Sequence, residues 1–334
     1  MRDQHFGIEI EMTGLTRYSA ANIIAKHFES EANREHDYYD TYTVKDQEGR
    51  KWKVMFDSSI SAYRGRIRTP DSEYKVEVVS PICNYEDIDT IQEITRKLRK
   101  GHAKVNSSCG IHIHVDASRH DARSLRNITN IMYSKEDLIY KALQINVSRE
   151  HRYCKKVDES FLEKLNKAKP ESLDQVKNIW YNGATYRSQE HYDDSRYHAL
   201  NLHSVFSKGT IEFRLFNGTL HAGEIKSYIQ FCLAISNQAL TQKKASRRKT
   251  LSTNEKYTFR TWLLRLGMIG DEFKTARQHL LKHLDGCIAW KDPAQAEKQK
   301  ERLRIKREEE LAAQESCEPA EEEITQDEGL TMSM

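Results

Sequence analysis

The sequence predicts an α+β fold with a largely antiparallel sheet, and three features support this prediction. Strand-like segments cluster before residue 217, helical segments dominate after it, and the connections between strands are a mixture of hairpins and helices. The chain has 334 residues, of which 38% are hydrophobic and 31% are charged, so it can form one large domain or two ordinary ones. Its six cysteines include no CxxC pair, which favours reduced thiols over a disulfide scaffold.

The first part of the chain alternates strands with helices. Apolar–polar alternation predicts strands, in order, over residues 6–12, 41–46, 51–57, 74–81 and 109–116. Apolar residues at helical spacing predict a helix over 19–30, with Ser19 as its N-cap. A second helix is predicted over 84–101, with Asn84 as its N-cap and Gly101 as its end.

Helices dominate the remainder of the chain. Two are predicted over 121–146 and 158–168, and residues 198–206 and 209–216 are predicted to form a strand pair joined by a hairpin at Ser207, Lys208 and Gly209. Helices follow over 221–241, 254–266, 271–284 and 294–314. The last twenty residues are acidic and poor in aromatic side chains, which predicts disorder.

Four of the predicted strands share one arrangement, with an apolar face opposite a face of Glu, His and Arg. Because side chains alternate between the faces of a strand, Glu9 and Glu11 lie on the same face, about 7 Å apart. The other strands add Glu77, then His112, His114 and Asp116, and finally Glu212 and Arg214. Neighbouring carboxylates repel one another and require a cation between them, and oxygen ligands with a nitrogen suit Mg²⁺ or Mn²⁺.

Several further residues are weaker candidates for this site. Asp57 and Ser59 lie in a DSS segment, which is also a common turn composition. Asn201 and His203 would share the site face of the strand predicted at 198–206, where ordinary polar pairing within the sheet is an alternative role. The chain contains neither a Walker A motif nor a G-x-G-x-x-G motif, so a nucleotide phosphate would have to be held by metal ions and side chains.

Residues 5–240 resemble the putative amidoligase family, which belongs to the larger group of glutamine synthetase and glutamate–cysteine ligase. The resemblance is carried by segments in the family's order: FGIEIE, the D-x-S of Asp57 to Ser59, VEVVSP, CGIHIHVD, RYHALNLHS and GTIEFRLFNGTL. It implies a curved, glutamine synthetase-like half-barrel with packed helices. It also implies ATP-dependent joining of a carboxylate to an amine through an acyl phosphate, with Mg²⁺ or Mn²⁺ as the cofactor.

The resemblance also implies a role for each site residue. Glu9 and Glu11 would divide between two metal ions, and Glu77 would join the ligands of one of them. His112 and Glu212 would complete the ion that bridges the ATP phosphates, while His114 would contact ATP. Arg214 would stabilise the transferred γ-phosphoryl group.

Arg196, at the start of RYHALN, matches an arginine that binds phosphate or substrate. Counting back from Asn201 and His203 places Arg196 on the other face of the predicted strand, unless it precedes that strand.

The predicted domain organisation is a catalytic domain over 1–245, a helical extension over 246–292, and a charged helix with a disordered acidic tail over 293–334. No apolar run reaches the length of a membrane span, and the N-terminus lacks the pattern of a secretory signal, so a cytoplasmic location without membrane contact is expected. An oligomer is compatible with the sequence.

The expected partners are small-molecule or peptide carboxylates and amines. Residues 293–334 contain 6 Lys and Arg against 12 Asp and Glu, which leaves residues 1–292 with a net charge of +9. That charge suits an anionic acceptor, including nucleic acid. The densest basic cluster, residues 243–249, lacks interleaved aromatic side chains and is weak evidence for nucleic-acid binding.

Three other functions are compatible with the same residues. A metal-dependent hydrolase would use them to activate water without ATP. A phosphotransferase acting on a guanidino group would release ADP and keep the phosphate on its product. A non-catalytic binding protein or virion component would tolerate Glu9→Ala and Glu212→Ala without functional loss.

Overall fold

The computed structural model describes residues 1–315, and its centre is an open eight-stranded sheet. Ten strands form within these residues: β1 Phe6–Met12, β2 Ala32–Arg34, β3 Tyr42–Lys45, β4 Lys51–Met55, β5 Tyr63–Arg64, β6 Ile67–Arg68, β7 Val76–Val79, β8 Gly110–Asp116, β9 Leu200–Asn201 and β10 Thr210–Asn217. The sheet order is β2-β3-β4-β7-β1-β8-β10-β9, and every pairing in it is antiparallel. Strands β5 and β6 form a separate small hairpin.

Helices are formed from one end of the described chain to the other. They are α1 Arg17–Phe28, α2 Asp87–Lys100, α3 Ala122–Leu143, α4 Val147–Arg152, α5 Glu159–Ala168, α6 Leu173–Trp180, α7 His203–Lys208, α8 Ala222–Thr241, α9 Glu255–Arg265, α10 Lys274–Leu281 and α11 Pro293–Glu315. None of these helices is both long enough and apolar enough to cross a membrane.

One face of the sheet is apolar and is covered by helices. The alternating residues Phe6, Ile8, Ile10 and Met12 of β1 are all buried in the core, as the period-two pattern predicts. Helix α1 packs against β3 and β4, and α8 packs against β8 between α2 and α3. Each fully buried aliphatic side chain contributes about 1.5–3 kcal/mol to folding. The helices therefore hold the sheet from one side and leave the opposite face available for polar residues.

The predicted combination of helices with a largely antiparallel sheet is confirmed, whereas the glutamine synthetase-like half-barrel stays a prediction. The hairpin predicted over 198–216 is wrong. Strand β9 contains only Leu200 and Asn201, and the chain then forms α7 before entering β10. Strand β9 lies at the sheet edge and pairs with β10 alone. The residues after it form the hydrogen bonds of α7 and do not extend the pairing with β10. Gly209 ends α7 with a left-handed φ of 73°, a conformation that glycine adopts without strain.

Two predicted helix starts also differ from the structure. Helix α1 begins at Arg17, because the Thr16 side chain accepts a hydrogen bond from the Ser19 backbone N–H; Ser19 itself lies in the first turn. Helix α2 begins at Asp87, and the Asp87 carboxylate accepts from the backbone N–H of Asn84, which is not the cap. Strand β2 and helices α4 and α6 were not predicted.

Helix α9 packs on the body through aromatic contacts. Phe259 and Trp262 of α9 lie 6.1 and 5.6 Å, between ring centroids, from Phe231 of α8. Helix α11 carries an exposed surface that includes Leu303 and Leu311. The predicted disordered tail lies outside the described residues, apart from its first residue, which ends α11.

Candidate active site

The register of four adjacent strands assembles the acidic and basic residues on the polar face of the sheet. Strand β1 lies between β7 and β8. Its Glu9 pairs with His112 of β8, and its Glu11 pairs with Glu77 of β7. On the far side of β8, His114 pairs with Glu212 of β10. Residues separated by as many as 203 positions in the chain, Glu9 and Glu212, thus belong to one cluster.

The two histidines stand between the carboxylates. His112 Nδ1 lies 2.9 Å from Oε2 of Glu9, and its Nε2 lies 3.5 Å from Oε1 of Glu11. His114 Nε2 lies 3.2 Å from Oε1 of Glu9. The other ring nitrogen of His114 is 2.9 Å from the Thr210 hydroxyl, so the ring is held in a fixed orientation.

The cluster contains three overlapping groups of ligand atoms that could each hold a metal ion. They are Glu9, His114 and Glu212; Glu9, Glu77 and His112; and Glu11, Asp57 and Glu77. Within each group the ligand atoms lie within 4.8 Å of one another. Glu9 and Glu77 each belong to two groups, so neighbouring ions would share a carboxylate. Carboxylates with one or no imidazole form a donor set suited to Mg²⁺ or Mn²⁺.

Glu212 is held from two sides. Arg214 Nη1 donates to its Oε1 at 2.5 Å, and the Asn201 side-chain amide donates to its Oε2 at 2.6 Å. Arg214 and Glu212 are both buried. Burial works against the charged form of Glu212, but the Arg214 guanidinium together with His114 and His112 outweighs it and lowers the pKa of Glu212 to about 2. Glu212 therefore stays ionised at neutral pH, as a metal ligand requires.

The other carboxylates differ in their readiness to ionise. Burial raises the pKa of Glu77 well above its ordinary value, and the nearby carboxylates of Glu9, Asp57 and Glu11 raise it further. Burial also raises the pKa of Glu11. In contrast, His114 and His112 outweigh burial at Glu9 and hold its pKa well below the usual range. The second and third groups thus contain a carboxyl that would give up a proton to a cation.

Three buried polar atoms of the site lack a hydrogen-bond partner among the described residues. They are Oδ1 of Asn201, Nε of Arg214 and Nε2 of His114, whose 3.2 Å approach to Glu9 lacks the alignment of a hydrogen bond. A buried polar atom without a partner costs about 1–3 kcal/mol. Because the unpartnered atoms include both donors and acceptors around one carboxylate cluster, they are consistent with a charged ligand at this face.

Of the remaining predicted residues, Arg196 lines a cavity beside the cluster and Asp57 belongs to one of the metal groups. Arg196 belongs to a 3-10 turn, Asp194–Arg196, that precedes β9, so the alternation of the predicted strand does not apply to it. It lines the same cavity as Glu77 and Arg214. Asp57 joins the third metal group, and its Oδ1 accepts from the Ser59 backbone N–H at 2.6 Å, so the DSS segment is also a turn.

His203 belongs to none of the three metal groups. It lies on α7 instead of a strand, and its Nδ1 is 2.5 Å from the Tyr181 hydroxyl. It lines a separate cavity beside Asn201 and Glu212. Asn201 therefore lies on the strand predicted over 198–206 and His203 does not, because the chain becomes helical between them.

Three cavities open onto this face of the sheet. The first, of about 400 Å³, has Val79, Pro81 and Ile82 among its apolar lining residues. The second, of about 240 Å³, borders Asn201, His203 and Glu212. The third, of about 290 Å³, contains charges of both signs, including Asp57, Glu77, Arg196 and Arg214. We refer to them as the apolar, the intermediate and the charged cavity.

Two basic residues at the site were not predicted from the sequence. Lys208 was assigned to a hairpin turn, but it ends α7 and its Nζ lies 3.9 Å from Oε1 of Glu9. Arg149 of α4 is buried against Gly110, and it donates to the carbonyl oxygens of Ser108 and Arg214 at 3.4 Å. No local pattern reveals Arg149, because its short helix carries charges on several sides.

A sequence model of a family described as putative amidoligase enzyme matches residues 2–236. The match spans β1 to β10 and most of α8, and it contains every residue of the three metal groups. Helices α9 to α11 follow the matched region. No curated protein matches the chain.

Proposed function

This chain belongs to the putative amidoligase family, and from this membership and the geometry of the site we propose that it is an ATP-dependent carboxylate–amine ligase. The observation that carries the proposal is the set of three overlapping metal groups beside the buried Arg214. In the proposed reaction a carboxylate oxygen attacks the terminal phosphorus of ATP, and ADP leaves. An amine then attacks the acyl carbon, phosphate leaves, and the nitrogen loses a proton as the amide forms.

The proposed cofactor is Mg²⁺ or Mn²⁺, and the donor atoms fit it. The group of Glu9, His114 and Glu212 and the group of Glu9, Glu77 and His112 would each hold one ion. This grouping differs from the family resemblance, in which His112 accompanies Glu212 and His114 contacts ATP. When bound, the ions would neutralise the charge of the phosphate oxygens.

Arg214 is suited to stabilise the transferred phosphoryl group. Its guanidinium is buried and held by Glu212, so it needs little reorganisation when charge develops nearby. Burial works against its charged form, but the carboxylates of Glu212 and Glu9 raise the pKa of Arg214. It therefore remains a cation throughout the proposed reaction.

The cavities support a division of the substrates. The charged cavity suits a carboxylate and an amine, since Arg196 offers a cation and Asp57 offers an anion within it. The apolar cavity suits the uncharged part of a nucleotide. Asn201 and His203 border the intermediate cavity and are further candidates for contact with a substrate.

The decisive experiment uses hydroxylamine as a general amine, because it converts an acyl phosphate into a hydroxamate, which forms a coloured complex with Fe³⁺. The purified chain would be incubated with Mg²⁺-ATP, pooled amino acids or other carboxylates, and hydroxylamine, and both free phosphate and hydroxamate would be measured. Glu212→Gln should abolish both products. Glu48→Gln, at an exposed turn position, should leave them unchanged and is the matched control.

The alternatives give different products in the same assay. A metal-dependent hydrolase would turn over its substrate without ATP, and a guanidino phosphotransferase would release ADP without free phosphate. A non-catalytic protein would consume no ATP. Phosphate release that persists in Glu212→Gln would also contradict the ligase proposal.

A further inference from the structure

Lys208 lies where the apolar, the intermediate and the charged cavity meet. Among the described residues, it is the one that lines all three. It is the last residue of α7, immediately before the left-handed Gly209. A cation is favoured at this position by the carbonyl groups at the helix C-terminus.

The Lys208 side chain is held much less tightly than the two arginines of the site, Arg214 and Arg196. Its side chain is 47% exposed, and its ion pair within the described residues is the 3.9 Å approach of Nζ to Oε1 of Glu9. By contrast, Arg214 is buried and bonded to Glu212. Arg196 donates to the His191 carbonyl oxygen at 3.1 Å and lies over the Tyr192 ring. Lys208 is therefore freer than either arginine to move toward a ligand.

Binding of a metal ion would free Lys208 from Glu9. Glu9 belongs to two of the three metal groups, and a divalent cation there would repel the ammonium group of Lys208. The lysine has a flexible stem and three donors, so it can follow an anionic oxygen that moves between neighbouring cavities.

We propose that Lys208 binds the anionic oxygen of the reacting substrate at the junction of the three cavities. This inference rests on the proposed ligase function. Two groups carry such an oxygen in that reaction, namely the terminal phosphate of the nucleotide and the substrate carboxylate. Lys208 borders both the apolar cavity, suited to the nucleotide, and the charged cavity, suited to the carboxylate, so the test must separate the two sources.

The test compares Lys208→Met and Lys208→Arg with the wild-type chain by isothermal titration of Mn²⁺-ATP, Mn²⁺-ADP and Mn²⁺ alone. Because Lys208 is about half exposed, the substitutions should leave the melting temperature unchanged. Lys26→Met is the matched control, since it removes one exposed lysine from α1, on the opposite face of the sheet.

If Lys208 binds the terminal phosphate, Lys208→Met should weaken Mn²⁺-ATP binding by about tenfold or more and leave Mn²⁺-ADP and Mn²⁺ unchanged. If it binds the carboxylate, all three titrations should be unchanged, and the KM for the carboxylate in the hydroxamate assay should rise by a similar factor. Lys208→Arg should keep most of the wild-type affinity for Mn²⁺-ATP and a KM close to the wild-type value, because the charge remains.

The inference is overturned if Lys208→Met changes neither Mn²⁺-ATP binding nor the KM for the carboxylate, or if Lys26→Met changes them equally. In that case the wild-type chain still binds ATP and forms hydroxamate, and the ligase proposal stands. A wild-type chain that does neither overturns the ligase proposal, and the inference about Lys208 with it.

Discussion

Asn201 donates a 2.6 Å hydrogen bond from its side-chain amide to Oε2 of Glu212 and so connects the edge strand β9 to the centre of the site. The two residues are direct partners in the register of β9 and β10. The opposite oxygen of Glu212 is bonded to Arg214, so the carboxylate has a fixed orientation. Residues that orient a ligand in this way are often as important for metal affinity as the ligand itself.

The first prediction therefore concerns Asn201. We expect Asn201→Ala to weaken Mn²⁺ binding by about tenfold to a hundredfold, because Glu212 loses one of the two bonds that fix its orientation. Isothermal titration with Mn²⁺ measures this effect directly. Asn22→Ala, on the exposed side of α1, is the control. Equal affinity in Asn201→Ala and the wild-type chain would show that Asn201 does not support a metal ligand.

The second prediction concerns stability and the crowded carboxylates. A cation that binds only the folded chain should raise the free energy of unfolding by about 2.7 kcal/mol at a hundred times its Kd. We expect Mn²⁺ to raise the melting temperature and EDTA to reverse the increase. In Glu77→Gln the stability without metal should not fall, because glutamine removes a buried carboxyl whose pKa is raised by burial and by the neighbouring carboxylates of Glu9, Asp57 and Glu11.

The stabilisation by Mn²⁺ should be smaller in Glu77→Gln, because an amide is a poorer ligand than a carboxylate. Glu48→Gln is again the matched control, since Glu48 is 69% exposed and away from the metal groups. A full Mn²⁺ response in Glu77→Gln would exclude Glu77 from the ligand set.

The third prediction concerns the packing of Arg149 against Gly110. A Cβ atom on Gly110 would lie 2.7 Å from Cζ of Arg149, which is itself buried and has no open space to move into. We expect Gly110→Ala to lower the free energy of unfolding by about 1–3 kcal/mol, measured by urea denaturation.

The comparison for this effect is Gly7→Ala on β1. There a Cβ would meet Ser80 Oγ at 3.8 Å, an ordinary contact, so the stability should change by less than about 0.5 kcal/mol. Similar losses in the two variants would indicate a general cost of replacing glycine in this sheet, unrelated to Arg149.

The faces of individual strands were predictable from the sequence because their period is local. The alternation of residues 6–12 places Ile8 and Ile10 on the core face and Glu9 and Glu11 on the opposite face. The family resemblance adds the order of the motifs. Neither source gives the register between strands, and that register determines which histidine lies beside which carboxylate.

The unpredicted features depend on contacts between distant parts of the chain. Residues 198–206 mix apolar and polar side chains in a pattern that suits a strand or a helix, and the position of β9 at the sheet edge decides between them. The burial of Arg149 depends on the approach of α4 to Gly110, which no local pattern encodes. The place of Lys208 in the site could not be predicted because it depends on the helix that follows the edge strand β9. The place of Arg149 could not be predicted because it depends on the approach of α4 to Gly110.

The last prediction concerns His120, a buried histidine outside the candidate site. Its Nε2 lies 2.9 Å from Ser236 Oγ, and that hydroxyl donates to Oε1 of Gln4 at 2.6 Å. Ser236 therefore accepts from His120, so Nε2 carries the proton of the neutral ring. Nδ1 is buried and has no partner among the described residues. A second proton would thus be placed on an atom without an acceptor, and burial lowers the pKa of His120 to about 4.

This shift has a definite sign in stability. Between pH 6.5 and 4 the unfolded chain binds a proton at His120 that the folded chain does not, so the free energy of unfolding decreases as the pH falls. The full loss is about 3 kcal/mol at pH 4 relative to pH 7. We expect urea denaturation of His120→Gln to show a correspondingly weaker decrease over this range, while His36→Gln, at an exposed position, follows the wild-type profile. Parallel profiles for His120→Gln and the wild-type chain would mean that His120 is charged in the fold or does not contribute to the decrease.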